Sequence, residues 1–121
     1  MHVSRRRFEQ LVSEALDALP EALLETIENV AVIVEDEPTA EQTDGRSGTL
    51  IGLYEGIAQT RRSPIGYSGA MPDRVTLFRL SLCAMSADEN ELYDHVYKTL
   101  LHEFAHHFGI DDDRLDELGW E

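Results

Sequence analysis

The chain has 121 residues, 42% of them hydrophobic, and carries a net charge of −14 at pH 7. This length predicts a single domain over residues 1–121, and the negative charge disfavours binding to nucleic acid or to anionic membranes, so we expect neither as a partner. Cys83 is the only cysteine, which rules out an internal disulfide, and no apolar run has transmembrane length. We therefore expect a cytoplasmic protein that is a monomer or a weak homo-oligomer.

The first half of the chain predicts two helices and two strands. Apolar residues recur at helical spacing through residues 4–18, with Ser4 as the N-cap, and Pro20 stops this helix and begins a short second one. Residues 29–36 (NVAVIVED) form a continuous β-branched run, which predicts a central strand covered on both faces. After a polar loop, residues 49–56 (TLIGLYEG) predict a second strand.

A long loop and a third strand follow. Residues 57–73 contain three turn signals, and loops of this length are often functional. Tyr67 in this loop is a candidate oxyanion stabiliser. Residues 74–82 (RVTLFRLSL) predict a strand whose apolar residues change phase between Leu77 and Phe78, as at a bulge or an edge position.

The last predicted element is a long helix. Ser86 and Glu89 have the spacing of a capping box, and Gly109 is the residue that would end the helix. The order of two helices, three strands and a helix predicts a small α+β fold.

Residues 89–108 place apolar side chains over more than half of this helix, which predicts that it is packed inside the domain. The remaining narrow face holds the polar residues His95, Thr99, His102 and His106, with Glu103 at its border.

This polar face contains the sequence HEFAH, which has the spacing HExxH. His102 and His106 lie one turn apart, so their imidazoles are close enough to bind one zinc ion at Zn–N distances of about 2.0–2.1 Å. Glu103 projects beside them and is placed to act as the base for a metal-bound water. The alternative interpretation is a solvated polar helix face without a ligand.

A catalytic zinc site usually has a third protein ligand. Gly109 can turn the chain sharply, and Asp112 then stands where the HExxHxxGxxH pattern has its third histidine. We take Asp112 as the third ligand, with Asp113 and Asp116 as alternatives because the register of this turn is not fixed by the sequence.

Two other histidines of the helix are predicted not to bind this metal. His107 falls within the apolar arc, which is typical of a hydrogen-bonded core histidine. His95 faces the same side as His102 but lies about 10 Å from it along the helix axis, so it would line a cleft without sharing the ligand sphere.

Most of the chain resembles a family of small bacterial proteins, the minimal zincin-like metallopeptidases. The resemblance is carried by four blocks: ALDALPEALLETIENVAVIVEDEP, LIGLYEGIAQT, MPDRVTLFR and LLHEFAHHFGIDDDRLDELGW. It implies a compact α+β fold with a small mixed sheet of three to four strands, N-terminal helices and a C-terminal active-site helix. It also implies zinc at His102, His106 and Asp112, with Glu103 as the base. No methionine follows Gly109, so the Met-turn of metzincins is missing.

These features favour a zinc-dependent peptidase that acts on a peptide or protein substrate. An extended substrate would pair with an exposed strand edge, either residues 74–80 or residues 49–55. The alternative is a catalytically weak or inactive zincin-fold module with a metal-binding or regulatory role. A third hypothesis is a structural zinc closed by four protein ligands, among them His107 or a second aspartate.

Overall fold

A computed structural model describes the chain over residues 1–25, 30–43, 50–55, 73–107 (His107 through its backbone alone), 109, 113–114 and 117. Within these ranges the chain forms five helices and three strands. In chain order they are α1 (Arg5–Asp17), α2 (Glu21–Leu24), β1 (Val30–Glu35), α3 (Ala40–Thr43), β2 (Gly52–Glu55), β3 (Asp73–Phe78), α4 (Arg79–Ala84) and α5 (Glu89–His107). The predicted α+β class is confirmed, and none of the described helices has both the length and the apolarity needed to cross a bilayer.

The first helix forms as its sequence predicts. The hydroxyl of Ser4 accepts a hydrogen bond from the backbone N–H of Arg7 at 3.1 Å and so caps α1. The apolar residues of α1 face the core and pack on α5; they are Phe8, Leu11, Val12 and Ala15.

The three described strands form a mixed sheet in the order β1–β3–β2. β1 runs parallel to β3, with Val30 opposite Asp73, and β2 runs antiparallel to β3, with Gly52 opposite Leu77. The predicted small mixed sheet is confirmed. Its centre is β3, whose last four residues are at most 1% exposed.

The prediction that residues 29–36 form the central strand is wrong, because β1 lies at an edge of the described sheet. Val34 is its only buried residue, and the other five are half-buried. A continuous run of β-branched residues indicates a β-strand. It does not distinguish an edge strand from a central strand, because both have extended backbone. Position in the sheet depends on which strand has partners on both sides.

The prediction that residues 74–82 form one strand is also wrong at its C-terminal end. The strand stops at Phe78, and Arg79–Ala84 form the helix α4. The change of apolar phase at Leu77 and Phe78 therefore marks a switch from strand to helix, and neither a bulge nor an edge position is present there.

Arg79 fixes the start of α4 against the rest of the domain. Its guanidinium donates to the Asp36 carboxylate at 3.0 Å and to the carbonyl oxygen of Val3 at 2.7 Å. The hydrogen bond from Arg79 lowers the pKa of Asp36, so this carboxyl remains ionised well below neutral pH. The contact holds α4, and hence the chain that leads into α5, in one position.

The helix α5 is the buried centre of the fold. Its apolar side chains contact α1 on one side and β2 and β3 on the other. Six of them are fully buried: Leu92, Val96, Leu100, Leu101, Phe104 and Ala105. The predicted burial of this helix is confirmed.

The predicted cap of α5 is replaced by a neighbouring one. Asp88 accepts a hydrogen bond from the backbone N–H of Glu91 at 2.9 Å, which makes it the N-cap in place of Ser86. The Glu91 carboxylate in turn accepts from the N–H of Ala87 at 3.4 Å. Ser86 is two residues too early for this role, and its hydroxyl is used elsewhere.

One glycine determines how closely α5 approaches β2. A Cβ atom on Gly52 would lie 2.5 Å from Cγ2 of Thr99, well inside van der Waals contact. Thr99 cannot easily turn away, because it is buried and its hydroxyl donates to the carbonyl of His95 at 2.6 Å. Only glycine at this position allows the polar face of α5 to lie directly over the start of β2.

We expect Gly52→Ala to lower the free energy of unfolding by about 1–3 kcal/mol, because the new methyl overlaps a fixed threonine methyl. Adding Thr99→Ser removes Cγ2 while keeping the hydroxyl, so the double variant should recover most of that loss. Urea midpoints of the wild type, both single variants and the double variant measure the effect. A Gly52→Ala protein as stable as the wild type would contradict the close approach.

Candidate metal centre

A cleft of about 380 Å³ lies between α5 and the chain around the start of β2. One wall consists of residues 50–52 together with Met85. The other wall is the polar face of α5, formed by His95, Lys98, Thr99, His102, Glu103 and His106. The residues that the sequence places on one narrow helix face therefore line a single cavity.

The two histidines of the HExxH sequence lie side by side in this cleft. Their ring centroids are 5.8 Å apart and the ring planes differ by 11°. His102 is half-buried and His106 is exposed. A tetrahedral zinc ion needs its two imidazole nitrogens about 3.3 Å apart, and side chains one helical turn apart on the same face are neighbours that can meet at one ion.

Glu103 is half-buried at the border of the same cleft. It is adjacent to His102 in sequence but about 100° further around the helix. Glu103 therefore lines the cavity at the border of the helix face that carries the two imidazoles. This arrangement suits a group that handles protons next to a metal ion.

The described residues supply two of the expected metal ligands. No group of three or more His, Cys, Asp or Glu side chains within the described ranges is arranged to hold a metal ion. The predicted third ligand, Asp112, and the alternative Asp116 lie outside the described residues, whereas Asp113 is described and exposed. The assignment of the third ligand thus stays a prediction, as does the role of Tyr67, which is also outside the described ranges.

His95 lines the other end of the cleft, as expected, and its orientation is fixed. The Ser86 hydroxyl donates to the carbonyl oxygen of Leu82 at 2.8 Å and lies 2.9 Å from Nδ1 of His95. The Ser86 hydroxyl therefore holds the imidazole in one orientation through Nδ1. Nδ1 of His95 is engaged by Ser86, so Nε2 is the ring nitrogen that can contact a ligand.

Sequence reasoning missed two contributors to the cleft. Lys98 lies on the same face, three residues after His95 and four before His102, and this spacing was available as a signal. The role of Gly52 was not visible in the sequence, because it depends on which residue of α5 meets β2.

Comparisons with known sequences and structures show what the chain is similar to. A family model described as zincin-like metallopeptidase matches residues 27–120. No protein with a curated function matches the sequence. A solved structure of a conserved hypothetical protein from Thermo thermophilus is similar, with a TM-score of 0.59 and 22% sequence identity over 88% of this chain and 94% of that chain. At this identity the likeness shows a shared fold.

We expect His102→Ala and His106→Ala each to weaken zinc binding by at least about 100-fold, because each removes a nitrogen ligand. His95→Gln is the matched control on the same helix face and should bind zinc as the wild type does. Competition with a chromophoric chelator gives the three affinities, and elemental analysis gives the stoichiometry. Equal affinities in all of the variants would contradict the assignment of the two ligands.

Proposed function

Because the chain belongs to the zincin-like metallopeptidase family, we propose that it is a zinc-dependent peptidase that cleaves a peptide or protein substrate. The observation that carries this proposal is the pair of stacked imidazoles of His102 and His106, 5.8 Å apart in a cleft that Glu103 also lines. Two nitrogen ligands beside a carboxylate on one helix are the minimum that this chemistry needs.

The donor set suits zinc. His102 and His106 would bind the ion through their ring nitrogens, and Asp112 would complete a site with one open position. When bound, zinc lowers the pKa of a coordinated water toward neutrality and polarises the carbonyl of the substrate. Imidazole and carboxylate ligands also accept other divalent ions, so the same residues would hold a substituted metal.

In the proposed reaction Glu103 moves the proton. Its carboxylate accepts a proton from the attacking water as the water adds to the peptide carbonyl. The carboxylic acid then donates that proton to the leaving amide nitrogen, so that the C–N bond breaks to a neutral amine. The half-buried position of Glu103 limits competing hydration of the carboxylate.

The sheet narrows the choice of strand for substrate binding. The sequence left residues 74–80 and residues 49–55 as candidate edges. β3 pairs with a strand on each side, so the first candidate is wrong. β2 lies at an edge of the described sheet, and the chain at its start lines the cleft. We therefore propose that an extended substrate adds to β2, where backbone hydrogen bonds hold it beside the imidazoles.

The open shape of the cleft favours the second candidate function, a metal-binding module with weak or no turnover. His106 is exposed, and the described wall opposite α5 is only residues 50–52 and Met85. The described part of this wall buries little of a substrate. Stoichiometric zinc without cleavage of any peptide in a broad library would support the module over the peptidase.

We expect Glu103→Gln to retain zinc and to lose at least about 100-fold in the rate of peptide hydrolysis, since glutamine cannot accept the proton. Mass spectrometry of a peptide library after incubation with the zinc-loaded protein measures the rate. Asp94→Asn removes the same charge from an exposed position on α5 and should cleave like the wild type. Wild-type rates in the Glu103 variant would contradict its role as the base.

A further inference from the structure

One end of the cleft carries the only lysine of the sequence. Lys98 lies one helical turn before His102, and its side chain is exposed at the wall of the cleft. The chain has 24 acidic residues, yet Glu103 is the only carboxylate among the described residues that line this cavity. Lys98 is thus the only lysine or arginine among the described residues that line the cleft, and its ammonium gives that end of the cleft a positive charge that attracts anionic ligands.

Two groups at this end of the cleft are available to a ligand. Lys98 forms no ion pair with a described carboxylate, although Asp94 lies one turn before it on the same helix. His95 is held through Nδ1 by Ser86, which leaves its Nε2 for a ligand. The cleft is therefore lined at this end by the Lys98 ammonium, which has three hydrogen-bond donors, and by the oriented imidazole of His95.

Two contacts show that β2 and α5 run in the same direction. Gly52, at the start of β2, approaches Thr99, and Tyr54 contacts Phe104 with ring centroids 6.1 Å apart. A peptide that adds antiparallel to β2 therefore runs from His106 toward Lys98, and its C-terminal side lies at the cationic end. A parallel peptide would bring its N-terminal side, and in a short peptide its ammonium group, toward Lys98, where like charges repel.

The spacing along the helix gives the position of the complementary charge. Lys98 precedes His102 by four residues, about 6 Å along the axis, and precedes the midpoint of the His102–His106 pair by six, about 9 Å. An extended peptide advances about 3.3 Å per residue. The cationic end is thus two or three residues beyond the bond that would lie at His102 and His106.

We propose that Lys98 and His95 form a subsite for a substrate carboxylate, two or three residues to the C-terminal side of the cleaved bond. The proposal rests on the peptidase function and narrows it to peptides with a negative charge at that distance. The Lys98 ammonium binds the carboxylate, and the His95 ring, held through Nδ1 by Ser86, lines the cleft beside it. The carboxylate is either the C-terminus of the peptide or an aspartate or glutamate side chain within a longer chain.

Binding to an inactive protein tests the subsite without turnover. The zinc-loaded Glu103→Gln protein is titrated with three dansylated hexapeptides of alternating alanine and leucine. One has a free C-terminal carboxylate, one is amidated, and one is amidated with glutamate as its fifth residue. We expect at least one of the anionic peptides to bind about fivefold more tightly than the neutral peptide. The preferred anionic peptide identifies the source of the carboxylate.

Variants at Lys98 in the same background assign the preference to this residue. Lys98→Gln should abolish it, Lys98→Arg should retain it, and Arg6→Gln, which removes one positive charge from an exposed site on α1 outside the cleft, should leave it unchanged. An unchanged preference in Lys98→Gln, equal binding of all three peptides, or no binding of any of them would overturn the subsite.

Failure of the proposed subsite can be distinguished from failure of the proposed peptidase function by comparing peptide binding with peptide hydrolysis. Wild-type protein that hydrolyses both anionic peptides and the neutral amidated peptide equally well would keep the proposed function and remove the subsite. A carboxylate preference in binding that depends on Lys98, together with no hydrolysis by the wild type, would keep the subsite and remove the peptidase function.

Discussion

The contact between Thr99 of α5 and Gly52 of β2 sets the geometry of the site. The helix presents a broad apolar arc to α1 and to the sheet, and only a narrow polar strip is left for solvent. Because position 52 has no side chain, that strip lies directly over the start of β2, an edge strand of the described sheet. The same contact that packs the core therefore produces a cleft with the two imidazoles on one wall and an edge strand of the described sheet beside it.

Burial of the apolar face of α5 determines which of its polar side chains can take part in chemistry, because the helix has a fixed period. Apolar residues fix the rotation of α5 about its axis, so residues at intervals of three, four and seven must share the exposed strip. His102, His106 and Lys98 all lie in the cleft for this reason. Their proposed roles differ with distance along the axis: the paired imidazoles suit a metal, and the lysine one turn earlier suits an anion. A single helix thus supplies both a proposed reaction centre and a proposed specificity site.

Features that depend on local periodicity could be predicted from the sequence, whereas features that depend on tertiary contacts could not. The capped first helix and the buried α5 follow from helical spacing, and HExxH on a helix places two imidazoles together. The position of β1 in the sheet, by contrast, depends on its partners, and β-branched residues suit an edge as well as a centre. The helix α4 was missed because its short apolar segment fits a strand as readily as a helix.

The errors at the start of α5 have a similar cause. Ser86 and Asp88 are both good N-caps, and the sequence does not say that the Ser86 hydroxyl is needed by the carbonyl of Leu82 and by His95. The cleft itself was anticipated only through His95, since its second wall comes from a distant part of the chain. Asp112 and Tyr67 lie outside the described residues, and their assignments stay predictions from the sequence.

The most direct measurement of the central claim is anomalous diffraction at the zinc edge from crystals grown with zinc. The two imidazoles of α5 should both lie about 2.0–2.1 Å from a single anomalous peak, with the Glu103 carboxylate outside direct coordination. Continuous density from that peak to the segment after Gly109 would identify the third ligand. A peak bound elsewhere on the protein, or no ordered zinc between His102 and His106, would contradict the account.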